Sequence, residues 1–360
     1  MIPIANPVVG HQEHERVAEV LESGMLADGP VVREFESEFA AYCGADYAVA
    51  AANGTTALHA AIEALKLGEG DRILTTPFSF IASANAIRLA GAEPVFADID
   101  PETYTLDPEA VEAVIQEYNG DIDAILAVHL YGLPAAMDRL TTIASEYDAY
   151  LIEDAAQAHG AAVDGDRVGT IGDVGCFSFY PTKNMTTGEG GMIVTDDEEI
   201  AERAGRFINH GRTEKYGHAE VGHNFRMTSM AGALGRAQLE KLPAFIERRR
   251  ENATQLTEGL ADTWVETPTE PDGHKHVYHQ YTIRCQNREG LKAHLDEHDI
   301  GYGVYYPRCI HDQPAYSEVS TAAPVAERAA EEVLSLPVHP TVSDADIERI
   351  IKVVTENESE

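Results

Sequence analysis

The chain has 360 residues, 44% of them hydrophobic, enough for a large core and two domains. Its 61 acidic against 26 basic side chains give a net charge of −35. That balance argues against nucleic acid and anionic membrane surfaces as partners and for a halophile's acidic, salt-screened surface. Four cysteines, Cys43, Cys176, Cys285 and Cys309, stand far apart with no CxxC pair, which reads as reduced, partly buried thiols. No stretch is long and apolar enough to span a membrane, and the opening MIPIANPVVG lacks the regions of a signal peptide, so the expected location is the cytoplasm.

Residues 1–30 read as an arm and one helix, with Val17, Val20 and Leu21 at helical spacing and Gly24 as the stop. Val32 to Tyr42 is a second helix with Phe35 and Phe39 on one face. Tyr47 to Ala52 reads as a strand, and Asn53-Gly54-Thr55-Thr56 then opens a helix through Lys66. A strand, a glycine turn and a helix start form an anion site, because unpaired backbone amides point outward there.

From residue 71 strands and helices alternate. Strands are expected at Ile73 to Thr76, Pro94 to Asp98, Ala124 to His129 and Ala149 to Ile152, the last running into Glu153-Asp154. Helices are expected at Ser79 to Ala90, Pro108 to Tyr118 and Ala136 to Tyr147. This alternation predicts an α/β fold with a mostly parallel sheet, whose ligands lie beyond the strands' carboxyl ends. Asn53, Phe80, His129, Asp154 and Lys183 all follow predicted strands and so share one rim.

The stretch FSFYPTKNMTTGEGGMIVT, 177–195, holds Lys183 between a strand at Cys176 to Tyr180 and another at Met192 to Thr195. Helix 197–206 follows, then an exposed loop at Lys215 to Gly222 and a long helical pattern from Thr228 to Leu260, broken or bent at Pro243. The domain boundary is placed there: a large α/β domain over 31–245 and a smaller α+β domain over 246–360. In the latter the pattern predicts strands at Val277 to Arg284 and Gly303 to Tyr306, and helices at Glu289 to His298, Pro324 to Leu334 and Asp344 to Thr355. His274, His276 and His279 lack a carboxylate or cysteine at ligand spacing, so they read as a solvated loop and no metal is expected. No GxGxxG follows a strand, which disfavours a nicotinamide dehydrogenase.

A helix start of phosphate-binding type, an aspartate at a strand end, and a serine five residues before a lysine in a glycine-rich turn are the set that pyridoxal 5′-phosphate needs. Its aldehyde needs an amine, its phosphate needs amide and hydroxyl donors, and its ring nitrogen needs a carboxylate. The phrases NGTTAL at 53–58, TPFSFIASANAI at 76–87, VHLYGLPA at 128–135 and EDAAQAHGA at 153–161 extend this reading. SFYPTKNMTTGEGG at 178–191, GHNFRM at 222–227, HDQPAY at 311–316 and LPVHP at 336–340 complete it. In order and spacing the chain resembles the nucleotide-sugar aminotransferases of fold-type I.

The resemblance implies roles for particular residues. Lys183 would carry the cofactor and shuttle the proton, Asp154 would pair with the ring nitrogen, and Gln157 would contact the ring hydroxyl, with His159 behind it. Gly54, Thr55 and Ser178 would hold the phosphate, and Phe80 would stack on the ring. Asn224 would reach the phosphate of the neighbouring subunit, which implies a homodimer with shared active sites. Arg226 and His311 would contact substrate or the amino donor's carboxylate. The implied partners are a nucleotide-linked keto sugar and an amino-acid donor, L-glutamate in this family. A keto-cyclitol aminotransferase and a non-catalytic regulatory dimer are the alternatives. Ala52 stands where many relatives have serine, and Met185-Thr186-Thr187 departs from a pattern found in part of the family, which leaves the aminated carbon open.

Overall fold

The computed structural model describes residues 1–319 and 321–357. Seven strands form the central sheet: β1 Tyr47–Ala51, β2 Arg72–Thr75, β3 Glu93–Phe96, β4 Ala124–Val128, β5 Tyr150–Asp154, β6 Val174–Ser178 and β7 Gly191–Thr195. Their order is β1-β7-β6-β5-β4-β2-β3. Strands β6, β5, β4, β2 and β3 run parallel, while β7 is antiparallel to both its neighbours. Six carboxyl ends therefore point to one edge, and only β7 enters from it. β4 and β7 are buried along their whole length, as expected of strands covered on both faces.

The helices are α1 His11–Ser23, α2 Pro30–Cys43, α3 Gly54–Ala64, α4 Ala82–Leu89, α5 Pro108–Glu117, α6 Met137–Glu146, α7 Glu198–Phe207 and α8 Ser229–Leu260. The alternation expected over 71–154 is present with shifts of one to three residues. α3 stops two residues short of Lys66, which takes a positive φ of 62°. α4 begins at Ala82 rather than Ser79, whose hydroxyl lies 3.1 Å from that of Ser83. The strand expected at Cys176 to Tyr180 is instead Val174–Ser178, set by its pairing with both neighbours, and only glycine fits at 175 because a side chain there would strike the backbone of Gly169. The loop expected at Lys215 to Gly222 is an exposed two-stranded hairpin, Arg212–Glu214 with Gly217–His218.

Pro243 does not break α8. The helix runs through it and joins two cores. Leu239, Leu242 and Ile246 pack with Phe35, Phe39, Phe177 and Phe179 under the sheet. Ala253, Leu256 and Leu260 pack in a second core with Tyr281, Ile283, Leu334 and Leu336. The expected boundary thus falls inside α8. The arm joins the second core through Ile2, while Cys309, Ala326, Ala329 and Val333 return to the core of the main sheet.

The C-terminal part contains β8 Tyr281–Arg284, α9 Arg288–Glu297, α10 Pro324–Glu332, β9 Val333–Leu336 and α11 Asp344–Glu356. β8 and β9 pair antiparallel. Three expectations fail here. Val277 to Gln280 is a buried loop rather than strand, Gly303 to Tyr306 makes only an isolated bridge to Ser335, and the helix expected to Leu334 ends at Glu332. The run Val333-Leu334-Ser335-Leu336 continues an apolar pattern that suits either structure, and its pairing with Tyr281–Arg284 decides for strand.

Candidate functional site

Register places the site. Ala51, Gly191 and Ser178 sit side by side where β1, β7 and β6 meet the edge, and Asp154 pairs with Cys176 two residues below. α3 starts directly beyond. Asn53 caps it, its side chain accepting the Thr56 amide at 2.9 Å while the Thr56 hydroxyl accepts the Asn53 amide at 3.1 Å. The amides of Gly54 and Thr55 have no partner within the helix. A methyl group on Gly54 would lie 2.7 Å from Ser178 Cβ, and one on Gly191 would lie 2.3 Å from the Asn53 carbonyl oxygen. Two glycines thus let the helix start close on Ser178, forming a cradle of amides and hydroxyls suited to a phosphate.

The end of β5 carries two carboxylates, and alternation along a strand sends them to opposite faces. Glu153, fully buried, accepts amides from Gly169 (2.7 Å), Ile171 (2.8 Å) and Gly172 (2.7 Å), and lies 2.9 Å from His129 Nε2. His129 Nδ1 accepts the Ala135 amide at 3.0 Å, so the ring proton sits on Nε2 and is donated to Glu153. His129 therefore braces the rim instead of facing a ligand. Asp154 turns to the other face. Its Oδ2 accepts the Ser83 hydroxyl at 2.7 Å and its Oδ1 the Ala156 amide at 3.1 Å.

Lys183 heads the turn between β6 and β7. Hydrogen bonds inside the turn tie it down: Lys183 N to Tyr180 O (2.9 Å), Thr187 N and Thr186 Oγ1 to Phe179 O (3.0 and 2.8 Å), and Gly188 N to Thr186 Oγ1 (3.0 Å). Met185 is buried in the core beneath. The Met185-Thr186-Thr187 departure noted in the sequence thus wires the interior of the turn. The Lys183 ammonium has no hydrogen-bond or ion-pair partner among the described residues. Enclosure pushes it down to about 8, opposed by Asp154. The lowering raises the share of free amine near neutral pH, the form that acts as nucleophile and base.

Behind the lysine lies a set of buried groups that sequence reasoning missed or misplaced. The loop expected to be solvated is enclosed at His276 and His279. Arg249, buried on α8, donates to the carbonyls of Tyr278 (3.2 Å) and His279 (3.3 Å), and His279 Nδ1 lies 3.3 Å from Asn184 Oδ1. His159 is fully buried among Phe177 and Phe179, with neither ring nitrogen partnered. Desolvation, helped by the Lys183 charge, pushes it down to about 3. Ser83, Tyr306 and Arg249 carried no motif signal. Ser83 lies within the phrase TPFSFIASANAI, but nothing in its spacing marked it.

The remaining expected residues are placed as follows. Gln157 Oε1 accepts the Tyr131 amide at 2.7 Å and its Nε2 donates to Tyr306 Oη at 3.2 Å, leaving one amide hydrogen. Phe80 is 56% exposed, its ring 6.0 Å from that of Tyr306, so it lines an open surface. Arg226 donates to Asn209 Oδ1 at 2.6 Å and, with Val17, Ala52, Thr187 and Glu189, lines an open hollow of about 420 Å³ beside the cradle. Asn224, two residues before Arg226, is exposed. His311 Nε2 lies 3.4 Å from Glu327 Oε1, and its Nδ1 is buried without a partner. Cys309, His311 and Asp312 bring potential metal-ligand atoms within 4.8 Å of one another, and without a metal burial pushes the Cys309 thiol up to about 12.

Residues 7–355 match the family described as the DegT/DnrJ/EryC1/StrS aminotransferase family. A protein of Geobacillus stearothermophilus named pleiotropic regulatory protein is 41% identical over 94% of this chain and 92% of its own. The UDP-N-acetyl-3-dehydro-alpha-D-glucosamine 3-aminotransferase of Acidithiobacillus ferrooxidans is 38% identical over 94% and 91%. Further relatives at 39% identity are named as transaminases of dTDP-linked 3-amino sugars. Among solved structures, a DegT DnrJ EryC1 StrS aminotransferase from Brucella abortus superposes with a TM-score of 0.94 at 36% identity, covering 97% of this chain and 96% of its own.

The buried imidazoles give the protein an acid limit. Desolvation pushes His59 down to about 4, His159 and His276 to about 3, and His279 well below the usual range. The unfolded chain protonates all four near pH 6.5 while the folded one does not, so stability falls as pH drops through that value. Glu36, raised to about 7 by burial, acts in the opposite sense, since the folded chain keeps a proton that the unfolded chain loses. Unfolding near pH 5 should therefore take up about three protons. Denaturant midpoints at pH 7, 6 and 5 measure this. A midpoint flat or rising on acidification would mean that the histidines are not held neutral.

Proposed function

The chain belongs to the DegT/DnrJ/EryC1/StrS aminotransferase family, and we propose that it moves an amino group from L-glutamate to the ketone of a nucleotide-linked sugar. The observation that carries this reading is one rim holding an unpartnered, half-buried amine, a buried carboxylate and a glycine-closed amide cradle. This donor set fits pyridoxal 5′-phosphate. When bound, that cofactor supplies an aldehyde for the amine and a ring that delocalises the electrons left by proton removal.

The protein's share is binding, orientation and proton movement. The Gly54 and Thr55 amides and the Ser178 hydroxyl would hold the phosphate. Asp154 would meet the ring nitrogen and stabilise its positive charge. Gln157 has one amide hydrogen left to offer the ring hydroxyl, and Phe80 would cover one face of the ring. Lys183 Nζ, free of partners, would carry the cofactor and take and return the proton at the carbon being aminated. Relatives named for 3-amino sugars make a 3-keto sugar the first substrate to try. The name of the Geobacillus relative favours a regulatory protein as the second reading. Such a protein has no chemical need for an enclosed free lysine opposite a buried aspartate.

The test uses a panel of UDP- and dTDP-linked 3-keto and 4-keto sugars with L-glutamate, products being identified by mass and NMR. The wild type should be yellow and turn over at least one of them. Lys183→Ala should lose the visible band and the turnover while keeping its fold. Normal turnover in Lys183→Ala would overturn the assignment.

The hollow beside the cradle and the exposed Leu21, Met25 and Leu26 support a homodimer in which Asn224 serves the partner's phosphate cradle. Mixed dimers of Lys183→Ala and Asn224→Ala subunits, each impaired alone, would then contain one site of wild-type composition. About half the normal activity should return. A purified mixed dimer no more active than its parents would mean that Asn224 serves its own chain.

The net charge of −35 supports a halophilic surface. At ordinary ionic strength the screening length is roughly 8 Å, so neighbouring acids still repel. Activity should fall on dialysis to low salt and return in molar KCl; full activity in millimolar salt would remove the halophilic reading and leave the enzyme reading intact. Among the described residues no helix is long and apolar enough to cross a membrane. Four free, buried cysteines support a cytoplasmic location, which cell fractionation would check.

A further inference from the structure

Asp154 is not held by its strand alone. Ser83, 1% exposed in the first turn of α4, donates its hydroxyl to Asp154 Oδ2 at 2.7 Å. Ser79, 5% exposed in the loop before α4, lies 3.1 Å from Ser83 by its hydroxyl. A hydroxyl has one proton to give. With the Ser83 proton committed to the carboxylate, the Ser79 proton runs to Ser83, and the donors line up as Ser79, Ser83, Asp154. The Ala156 amide holds the other carboxylate oxygen at 3.1 Å. The carboxylate is thus pinned at both oxygens and cannot rotate about its Cβ–Cγ bond without giving up a buried, charge-assisted hydrogen bond.

We propose that Ser83, supported by Ser79, is the positioning residue for the ring-nitrogen contact: it fixes the plane of the Asp154 carboxylate and donates to its negative charge, and so acts on the reaction only through Asp154. The inference rests on the reading of Asp154 given above. Hydrogen bonds to charged groups contribute enough that losing this one should lower kcat about tenfold or more. The KM for the sugar should stay unchanged, because Ser83 does not face it.

A purely structural serine would also lower activity when removed, so the test needs readouts that separate the two. The first is equilibrium binding of pyridoxamine phosphate against its analogue with carbon in place of the ring nitrogen. Wild type should prefer the natural cofactor, and Ser83→Ala should narrow that preference several-fold while binding the analogue as wild type does. The second is a double-mutant cycle. Asp154→Asn alone should lower kcat on the order of 10²-fold. Adding Ser83→Ala to it should cost almost nothing more, because the group through which Ser83 acts is already gone. Ser83→Thr keeps the hydroxyl and should restore both readouts. Ser79→Ala, which leaves Ser83 and its contact in place, should move them in the same direction by less, and serves if Ser83→Ala fails to fold. An unchanged cofactor preference in these variants, or an equal further loss in the Asp154→Asn background, would overturn the proposal. If Asp154→Asn itself bound and turned over normally, the reading of Asp154 would fall, an outcome distinct from an impaired Asp154→Asn beside a normal Ser83→Ala.

Discussion

Two adjacent carboxylates at the end of β5 set what surrounds them. A buried carboxylate is costly unless donors meet it. Glu153 satisfies that demand with three amides of the loop from Gly169 to Gly172 and the ring of His129. In doing so it ties β4, β5 and the segment leading into β6 into one rigid edge. That edge fixes where Asp154 emerges on the other face. Asp154 is placed by a neighbour whose own donors lie on the opposite face, and sheet alternation gives two carboxylates one residue apart separate surroundings.

The charge distribution follows a related division. Acids crowd the surface, yet the interior around Lys183 holds Arg249, His159, His276 and His279, with Asp154 the acid that acts on the lysine. Desolvation drives the imidazoles neutral instead of leaving several cations side by side. The same enclosure brings the lysine to about 8. A lysine on an exposed turn of so acidic a chain would find a carboxylate partner and stay charged. Shielding by apolar and neutral groups keeps its amine available.

Much of this was legible in the sequence. The alternation from residue 71 predicts the sheet because each strand is a short apolar run closed by polar turns, and the helix start after Asn53 is signalled by its own capping residues. Lys183 and Asp154 stand out because a lysine in a glycine turn and an acid at the end of an apolar run defy their local pattern. What escaped depends on tertiary pairing. Val333 to Leu336 is strand only because Tyr281–Arg284 lies beside it. Val277 to Gln280 is buried because Arg249, far along the chain, holds its carbonyls. Glu153 looked like half of an acidic pair, and nothing local shows that its donors come from the loop ahead of β6.

Helix α4 joins the two halves of the site. Its first turn carries Ser83 against Asp154, and its last turn carries Arg88, which donates to the Ala315 carbonyl at 2.9 Å. Between them Asn85 accepts the Tyr316 hydroxyl at 2.7 Å, and just ahead of the helix the Pro77 carbonyl accepts the Ile310 amide at 2.8 Å. The segment from Ile310 to Tyr316, which contains His311, is therefore fastened to the helix that braces the carboxylate. A short helix tied at both ends shifts as a unit, since its interior is close-packed. The Ser83 hydroxyl on Asp154 and the segment around His311 thus share one support, a helix of eight residues.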